Sequence, residues 1–148
     1  MPMPLDVKTP HSPLAAARSC GHARWTGASG TRYMAEIYPL GLPVPAQRGI
    51  YIFAKPRGAL AQSWTALYVG HAEDVARAVQ ESRRHSYLWD FAVEHGMTAI
   101  HLVMSEAGAA LRHDIARDLV RSLLPSLNRE TAAIQRHGGV GTNLGITT

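Results

Sequence analysis

The pattern of hydrophobic positions changes near the middle of the chain, from alternation to helical spacing. Over residues 31–39 apolar side chains alternate with polar ones, and this period of two predicts a β-strand. Two runs rich in β-branched and aromatic residues follow at about 50–55 and 64–69. The loop between them contains Pro56 and Gly58, an arrangement typical of a β-hairpin. The sequence therefore predicts three strands before residue 70.

The second half of the chain is predicted to be mainly helical. The expected elements are helices over about residues 73–85, 87–95 and 105–124, a strand over 98–104 and a short helix over 130–136. Gly96 is a typical stop for the second helix, and Pro125 ends the third because proline cannot continue a helix. These elements predict an α+β fold, a small α/β sandwich with a central, mostly antiparallel sheet of three to four strands flanked by helices.

The chain divides into three regions by composition. Residues 1–30 are rich in Pro, Ala, Ser and Gly without a sustained period, and we expect a loosely ordered arm. Residues 31–128 hold the periodic segments and form the predicted domain. Residues 129–148 are expected to be a C-terminal extension that ends in a glycine-rich, flexible tail.

The overall composition is that of one folded, basic domain. With 148 residues, of which 46% are hydrophobic and 18% charged, the chain is long enough to bury one core. The net charge is +4, and nearly all the cations are arginines. Arginine pairs with phosphate through two parallel hydrogen bonds, so this balance favours a nucleic-acid partner. The plainer alternative is that the charge only aids solubility.

The cellular compartment of the protein is predicted from its cysteine content and from the lengths of its hydrophobic segments. Cys20 stands alone, which excludes an internal disulfide and a thiolate zinc cluster. No apolar run approaches membrane-spanning length, and the proline-rich N-terminus has no signal-peptide core. We therefore expect a cytoplasmic protein without a membrane partner.

Three short motifs stand in a fixed order along the chain. Residues 49–51 are Gly-Ile-Tyr, residues 68–70 are Tyr-Val-Gly directly before a predicted helix, and residues 125–128 are Pro-Ser-Leu-Asn after the last long helix. In this order the chain resembles the GIY-YIG nuclease superfamily, in particular its small standalone bacterial members. The resemblance covers roughly residues 31–128. It implies a metal-dependent phosphodiesterase fold that acts on nucleic acid, with DNA the favoured substrate.

The resemblance also implies a set of site residues. In that family two tyrosines, an arginine on the first helix, a glutamate on a later helix and a closing asparagine form the site, and the glutamate holds Mg²⁺ or Mn²⁺. Tyr51, Tyr68 and Asn128 match. The arginine position falls on Ala78 and the glutamate position on Ala116. Since loss of one charge-stabilising group typically costs about 10²–10³ in rate, the resemblance implies that cleavage is lost or strongly impaired.

Several further residues are candidates, each with a plainer alternative. His71 follows the motif glycine and is a possible base or hydrogen-bond donor in the same cleft, or an ordinary surface histidine. The candidate nucleic-acid contacts are Lys55, Arg57, Arg77, Arg83, Arg84 and His85, which are otherwise a solvated basic face. The two tyrosines are alternatively core packing, and Asn128 alternatively caps a turn.

Three functions remain open at this point. The first is a GIY-YIG-like domain that binds nucleic acid in a basic groove without cleaving it. The second is an active endonuclease in which Arg77 and Asp114 replace the missing arginine and metal ligand, with Mg²⁺ or Mn²⁺ as cofactor. The third is a protein–protein interaction module on the same fold.

Overall fold

The computed structural model describes residues 19–58 and 63–129. Its elements are β1 (His22–Thr26), β2 (Arg32–Pro39), β3 (Gly49–Pro56), β4 (Trp64–Ala72), α1 (Val75–His85), α2 (Tyr87–Glu94), β5 (Ala99–Met104) and α3 (Ala109–Leu123). One further helical turn covers residues 126–129. The predicted helix over 130–136, the glycine-rich tail and residues 1–18 of the predicted arm lie outside the described residues. The α+β class is confirmed.

One sheet organises the molecule. Its five strands are ordered β1-β2-β5-β3-β4, and every neighbouring pair is antiparallel. The sheet curls, since Trp25 and Trp64 from its two edge strands both contact His101 in the central strand β5. The prediction of three to four strands is wrong by one, because β1 lies in the segment that the sequence analysis placed in the arm. The sequence of β1 does alternate, with Ala23 and Trp25 between polar residues, but over only five residues next to a stretch rich in Gly and Ser.

Helices cover both faces of the sheet. We call the face that carries Tyr51, Phe53 and Tyr68 the tyrosine face; α1 and α2 pack on it and complete one apolar core. The other side, which we call the opposite face, carries Ile50 and Ile52 and is covered by α3. Neighbouring residues of β3 thus point to alternate sides, as the pleat of a strand requires. None of the helices in the described residues has the length and hydrophobicity needed to cross a bilayer.

A carboxylate fastens the β1–β2 turn to α3. Asp118 accepts hydrogen bonds from the backbone N–H of Ser29 at 2.8 Å, from the Ser29 hydroxyl at 2.7 Å and from the Tyr33 hydroxyl at 2.7 Å. These bonds, led by the one from the Ser29 hydroxyl, hold the pKa of Asp118 below its usual value. Gly27 leaves room for the carboxylate, because a Cβ there would lie 2.0 Å from Asp118 Oδ2. The network positions α3 on the opposite face.

A buried histidine lies at the centre of the opposite face. His101 is wholly buried on β5, where its Nδ1 accepts a hydrogen bond from Trp25 Nε1 at 3.0 Å. Trp64 meets the imidazole edge-on, with 4.5 Å between ring centroids. Burial lowers the pKa of His101 from 6.5 to about 4, so the ring is neutral at physiological pH. The sequence analysis did not assign His101 to the site, and the structure places it in the core.

Candidate nucleic-acid interface

The two motif tyrosines are neighbours inside the core of the tyrosine face. Tyr51 on β3 and Tyr68 on β4 lie 6.3 Å apart between ring centroids, and both contact Phe53. Only 8% of Tyr51 and 4% of Tyr68 is exposed. Burial, reinforced by the neighbouring Tyr68, raises the pKa of the Tyr51 phenol well above its usual value. Tyr51 therefore stays protonated at neutral pH and supplies apolar ring surface to the core.

Close packing accounts for the glycine that ends the second motif. The Tyr51 ring lies across Gly70 in the neighbouring strand, to which it is directly paired in register. A Cβ at Gly70 would lie 2.5 Å from both Cζ and Oη of Tyr51, a separation that real side chains do not show. Gly49, the first residue of the other motif, is similar, since a Cβ there would meet the Val103 carbonyl oxygen at 2.5 Å. Both glycines are thus required by the packing of the sheet.

Asn128 contacts the backbone of an edge strand. Its side-chain oxygen accepts a hydrogen bond from the Val69 N–H at 2.8 Å, and its side-chain nitrogen donates to the Val69 carbonyl at 3.0 Å. The amide thus pairs with the outer edge of β4 as a further strand would. Asn128 positions the helical turn after α3 against the strand that carries Tyr68.

The other residues implied by the resemblance are divided between the two faces. Ala78 of α1 is partly buried against the core of the tyrosine face. Ala116 is wholly buried in the core beneath α3, on the opposite face. A carboxylate at position 116 would therefore lie on the other side of the sheet from the two tyrosines. The sheet itself separates this position from the rest of the implied site.

His71 also lies away from the tyrosines. It is paired in register with Ile50, whose side chain belongs to the opposite face. Its ring meets that of His113 on α3, with 5.6 Å between centroids and an interplanar angle of 77°. The hypothesis that His71 shares a cleft with Tyr51 and Tyr68 is not supported by this geometry.

The shifted pair weighed for an active enzyme does not converge. Arg77 lines a cavity beside α1, whereas Asp114 lines a different one together with Tyr33 and Asp118. Within residues 19–58 and 63–129, no three His, Cys, Asp or Glu side chains come together as metal ligands would. Ala116 stands at the position that the resemblance assigns to the metal ligand, and its methyl side chain cannot coordinate a divalent ion.

A cavity of about 330 Å³ opens between α1, α2 and the loop that joins β2 to β3. We call it the α1 cavity. Val79, Trp89 and Ile100 contribute apolar walls, while Arg77 and Arg83 reach it from α1. The guanidinium carbon of Arg83 lies 5.2 Å from the centroid of the Trp89 ring, a cation–π contact. The cavity thus combines an apolar interior with a rim of net positive charge, on which two arginines outnumber Asp74, the N-cap of α1.

Two of the exposed basic residues of α1, Arg77 and Arg83, line this cavity. Arg77, Arg83, Arg84 and His85 are all exposed, and the last three form the basic final turn of α1. In the part of the chain that the structure describes, the only ion pair within 4.0 Å joins Arg48 and Glu73. The arginines of α1 are therefore available to an anionic ligand.

The other two predicted cations lie elsewhere. The side chain of Lys55 packs beside Gly96, where an added Cβ would be 3.3 Å from Lys55 Cδ. Arg57 is exposed on the hairpin loop beyond the end of β3. Neither residue lines the α1 cavity. They extend the basic surface without contributing to the same pocket.

One wall of the α1 cavity was not predicted from the sequence. The segment 40–44 lines it, and no motif or periodicity there marks it as part of a site.

Compared with protein-family models, with curated proteins and with solved structures, the chain gives no significant match. The resemblance to the GIY-YIG superfamily therefore depends on the sequence motifs alone.

Proposed function

We propose that this domain binds nucleic acid at the α1 cavity and does not cleave it. The observation that carries the proposal is that Arg77 and Arg83 line one cavity and form no ion pair with a described residue. Unpaired guanidinium groups on a shared rim offer hydrogen bonds in the geometry that phosphate oxygens accept. DNA is the favoured partner, and the domain is proposed to be a GIY-YIG-like fold that has lost its chemistry.

The loss of cleavage follows from the positions of two alanines. Phosphodiester hydrolysis needs positive charge at the phosphorus and an acid to hold the metal. Ala78 can supply no charge although it packs on the tyrosine side, and Ala116 is buried on the other side of the sheet. The tyrosines, which the resemblance assigns to the site, are packed in the core. Binding without hydrolysis is the function that this arrangement supports best.

The test is a binding titration with two charge-matched variants. One variant carries Arg77→Gln and Arg83→Gln at the cavity, and the other carries Arg117→Gln and Arg121→Gln on the exposed side of α3. Labelled duplex DNA is titrated with each protein at two salt concentrations. We expect the cavity variant to bind about tenfold more weakly, with a salt slope smaller by about 2, because two phosphate contacts are lost.

The α3 variant loses the same charge and should bind as the unmodified protein does. An equal loss in both variants would mean that net charge alone drives binding, and this would overturn the proposed site. Absence of binding to any nucleic acid would overturn the function and favour a protein–protein interaction module. Nicking of supercoiled plasmid with Mg²⁺ or Mn²⁺ that disappears in Tyr51→Phe would overturn the loss of cleavage.

A further inference from the structure

The α1 cavity has the size of a site for one small group. Its volume of about 330 Å³ lies at the lower end of the roughly 300–1,000 Å³ typical of ligand pockets. A double helix lies across such an opening and cannot enter it. A single planar ring system attached to a charged backbone can enter, because the interior is apolar and the rim carries a net positive charge.

One wall of the cavity is suited to stacking. Arg83 lies over the ring of Trp89, a residue that is only 8% exposed, so the outer face of the guanidinium is the surface offered to a nucleobase, and its N–H edges remain available to phosphate. Phe53 meets Trp89 edge-on, with 5.5 Å between centroids and an interplanar angle of 82°. Trp89 is thereby fixed in the core before any ligand arrives. A wall that is already ordered adds little conformational entropy to the cost of binding.

The rim carries polar side chains that suit the phosphate groups of a nucleotide and the hydrogen-bonding edge of its base. Arg77, Gln80 and Arg83 recur every three residues along α1, so they lie along one side of the helix. The arginines can bind the phosphates on either side of an inserted base. Gln80 carries both a donor and an acceptor, which suits the hydrogen-bonding edge of a base.

We propose that the α1 cavity receives one unpaired base of the bound nucleic acid. This inference rests on the proposed function and names its substrate class: strands that contain a bulged, flipped or single-stranded nucleotide. In an intact duplex each base is stacked and paired, and removing it costs a few kcal/mol. The domain therefore distinguishes interrupted duplexes from continuous ones by means of the cavity, while the arginines hold the backbone of both.

The test compares three duplexes that differ at one position. The first is fully paired, the second has one bulged nucleotide, and the third has the same bulge with an abasic residue. The two bulged duplexes have the same backbone charge, so only the base distinguishes them. We expect the bulged base to bind about tenfold more tightly than the abasic bulge, as one stacked base typically provides. The abasic bulge should bind like the paired duplex.

Repeating the comparison with the same three ligands made of RNA shows whether the inserted base comes from DNA or from RNA. A preference for the base over the abasic bulge in either series supports the proposal, and equal binding in both series overturns it. Suppose that the bulged base and the abasic bulge bind equally but duplex binding still depends on Arg77 and Arg83. The proposed function then stands, and only the insertion of a base into the cavity is rejected. If no ligand binds, the proposed function fails as well.

A cavity-filling variant gives a second, independent readout. Ala76 lines the cavity, and Ala76→Leu places a larger apolar side chain inside it. This variant should lose the preference for the bulged base and keep salt-dependent duplex binding. Ala110→Leu, at an exposed position of α3, is the matched control and should retain the preference. The comparison of the bulged and abasic duplexes uses the unmodified protein, so it tests base insertion even if Ala76→Leu fails to fold.

Discussion

The two faces of the sheet are built from different kinds of side chain. The tyrosine face packs three aromatic rings of the hairpin against α1 and α2, and it borders the α1 cavity. The opposite face packs Ala, Ile and Val side chains against α3, and Trp25 and Trp64 enclose the neutral His101. The α1 cavity is lined by two arginines and one aspartate, whereas a cavity on the α3 side is lined by two arginines and two aspartates. This difference in charge is why we propose binding on the first side of the molecule.

This division explains why the expected catalytic site does not assemble. A GIY-YIG-like site needs its tyrosines, arginine and acid on one surface. Here Tyr51, Tyr68 and Ala78 share the tyrosine face, whereas Ala116 and His71 belong to the opposite one. The order of the motifs along the chain therefore does not by itself bring the implied site residues to one surface.

The largest expected effect comes from placing a charge in the closed core. Ala116→Glu introduces a carboxylate at a wholly buried position that faces the sheet. An unpaired buried charge is strongly destabilising, and we expect a loss of about 3–5 kcal/mol in the free energy of unfolding. Urea denaturation measures this loss. The control, Ala110→Glu, lies at an exposed position in the first turn of α3 and should change stability by less than about 1 kcal/mol. Equal stability of the two variants would contradict the assignment of faces.

The next effect is a loss of stability on acidification that originates in the opposite face. An unfolded chain protonates its histidine near pH 6.5, whereas the pKa of His101 in the folded protein is about 4. Between these values the unfolded state binds more protons, so stability falls as the pH falls. The contribution of His101 to this loss approaches about 3 kcal/mol below pH 4.

Denaturation curves between pH 7 and pH 4 measure this dependence. His101→Leu removes the ionisable group and should flatten the curve over that range, whatever its stability at pH 7. His22→Gln, at an exposed position of β1, removes a histidine without removing the dependence. A curve that His101→Leu leaves unchanged would show that the core histidine is not the source.

The smallest of these effects tests the packing of the tyrosine face. Gly70→Ala places a methyl group where the Tyr51 ring now lies, so the ring must move. Overpacking of this kind costs about 1–3 kcal/mol, and near-UV circular dichroism should report the shifted aromatic rings. Gly108→Ala is the control, because no atom lies within 4 Å of an added Cβ there. A Gly70→Ala variant with unchanged stability and spectrum would contradict the close contact.

Most of the fold could be predicted from the sequence, and the reasons are local. The strands from β2 onward and the three helices have either long apolar runs or clear periodicity, and each lies within a few residues of its expected position. The strand β1 was missed because it is short and lies next to a stretch rich in Gly and Ser. The alternation of β1 covers only five residues, whereas β4, at the other edge of the sheet, was predicted from its longer apolar run.

The candidate site was harder to predict because it depends on which side each residue faces. A register shift between Phe53 and Ala54 in the pairing of β3 with β4 lets Leu67 and Tyr68, adjacent in sequence, both lie in the core of the tyrosine face. Simple alternation cannot foresee such a bulge. The α1 cavity likewise joins segments far apart in sequence, so no single motif marks it.

Asn128 has a consequence for how the domain can be shortened or joined to other proteins. Strand β4 is an outer strand of the sheet, and exposed strand edges invite pairing with a second chain. The Asn128 amide occupies the N–H and C=O of Val69 on that edge. A fragment that ends before residue 128 would leave this edge open to intermolecular association. Residue 128 is therefore the earliest C-terminal boundary for a fragment that keeps the edge protected.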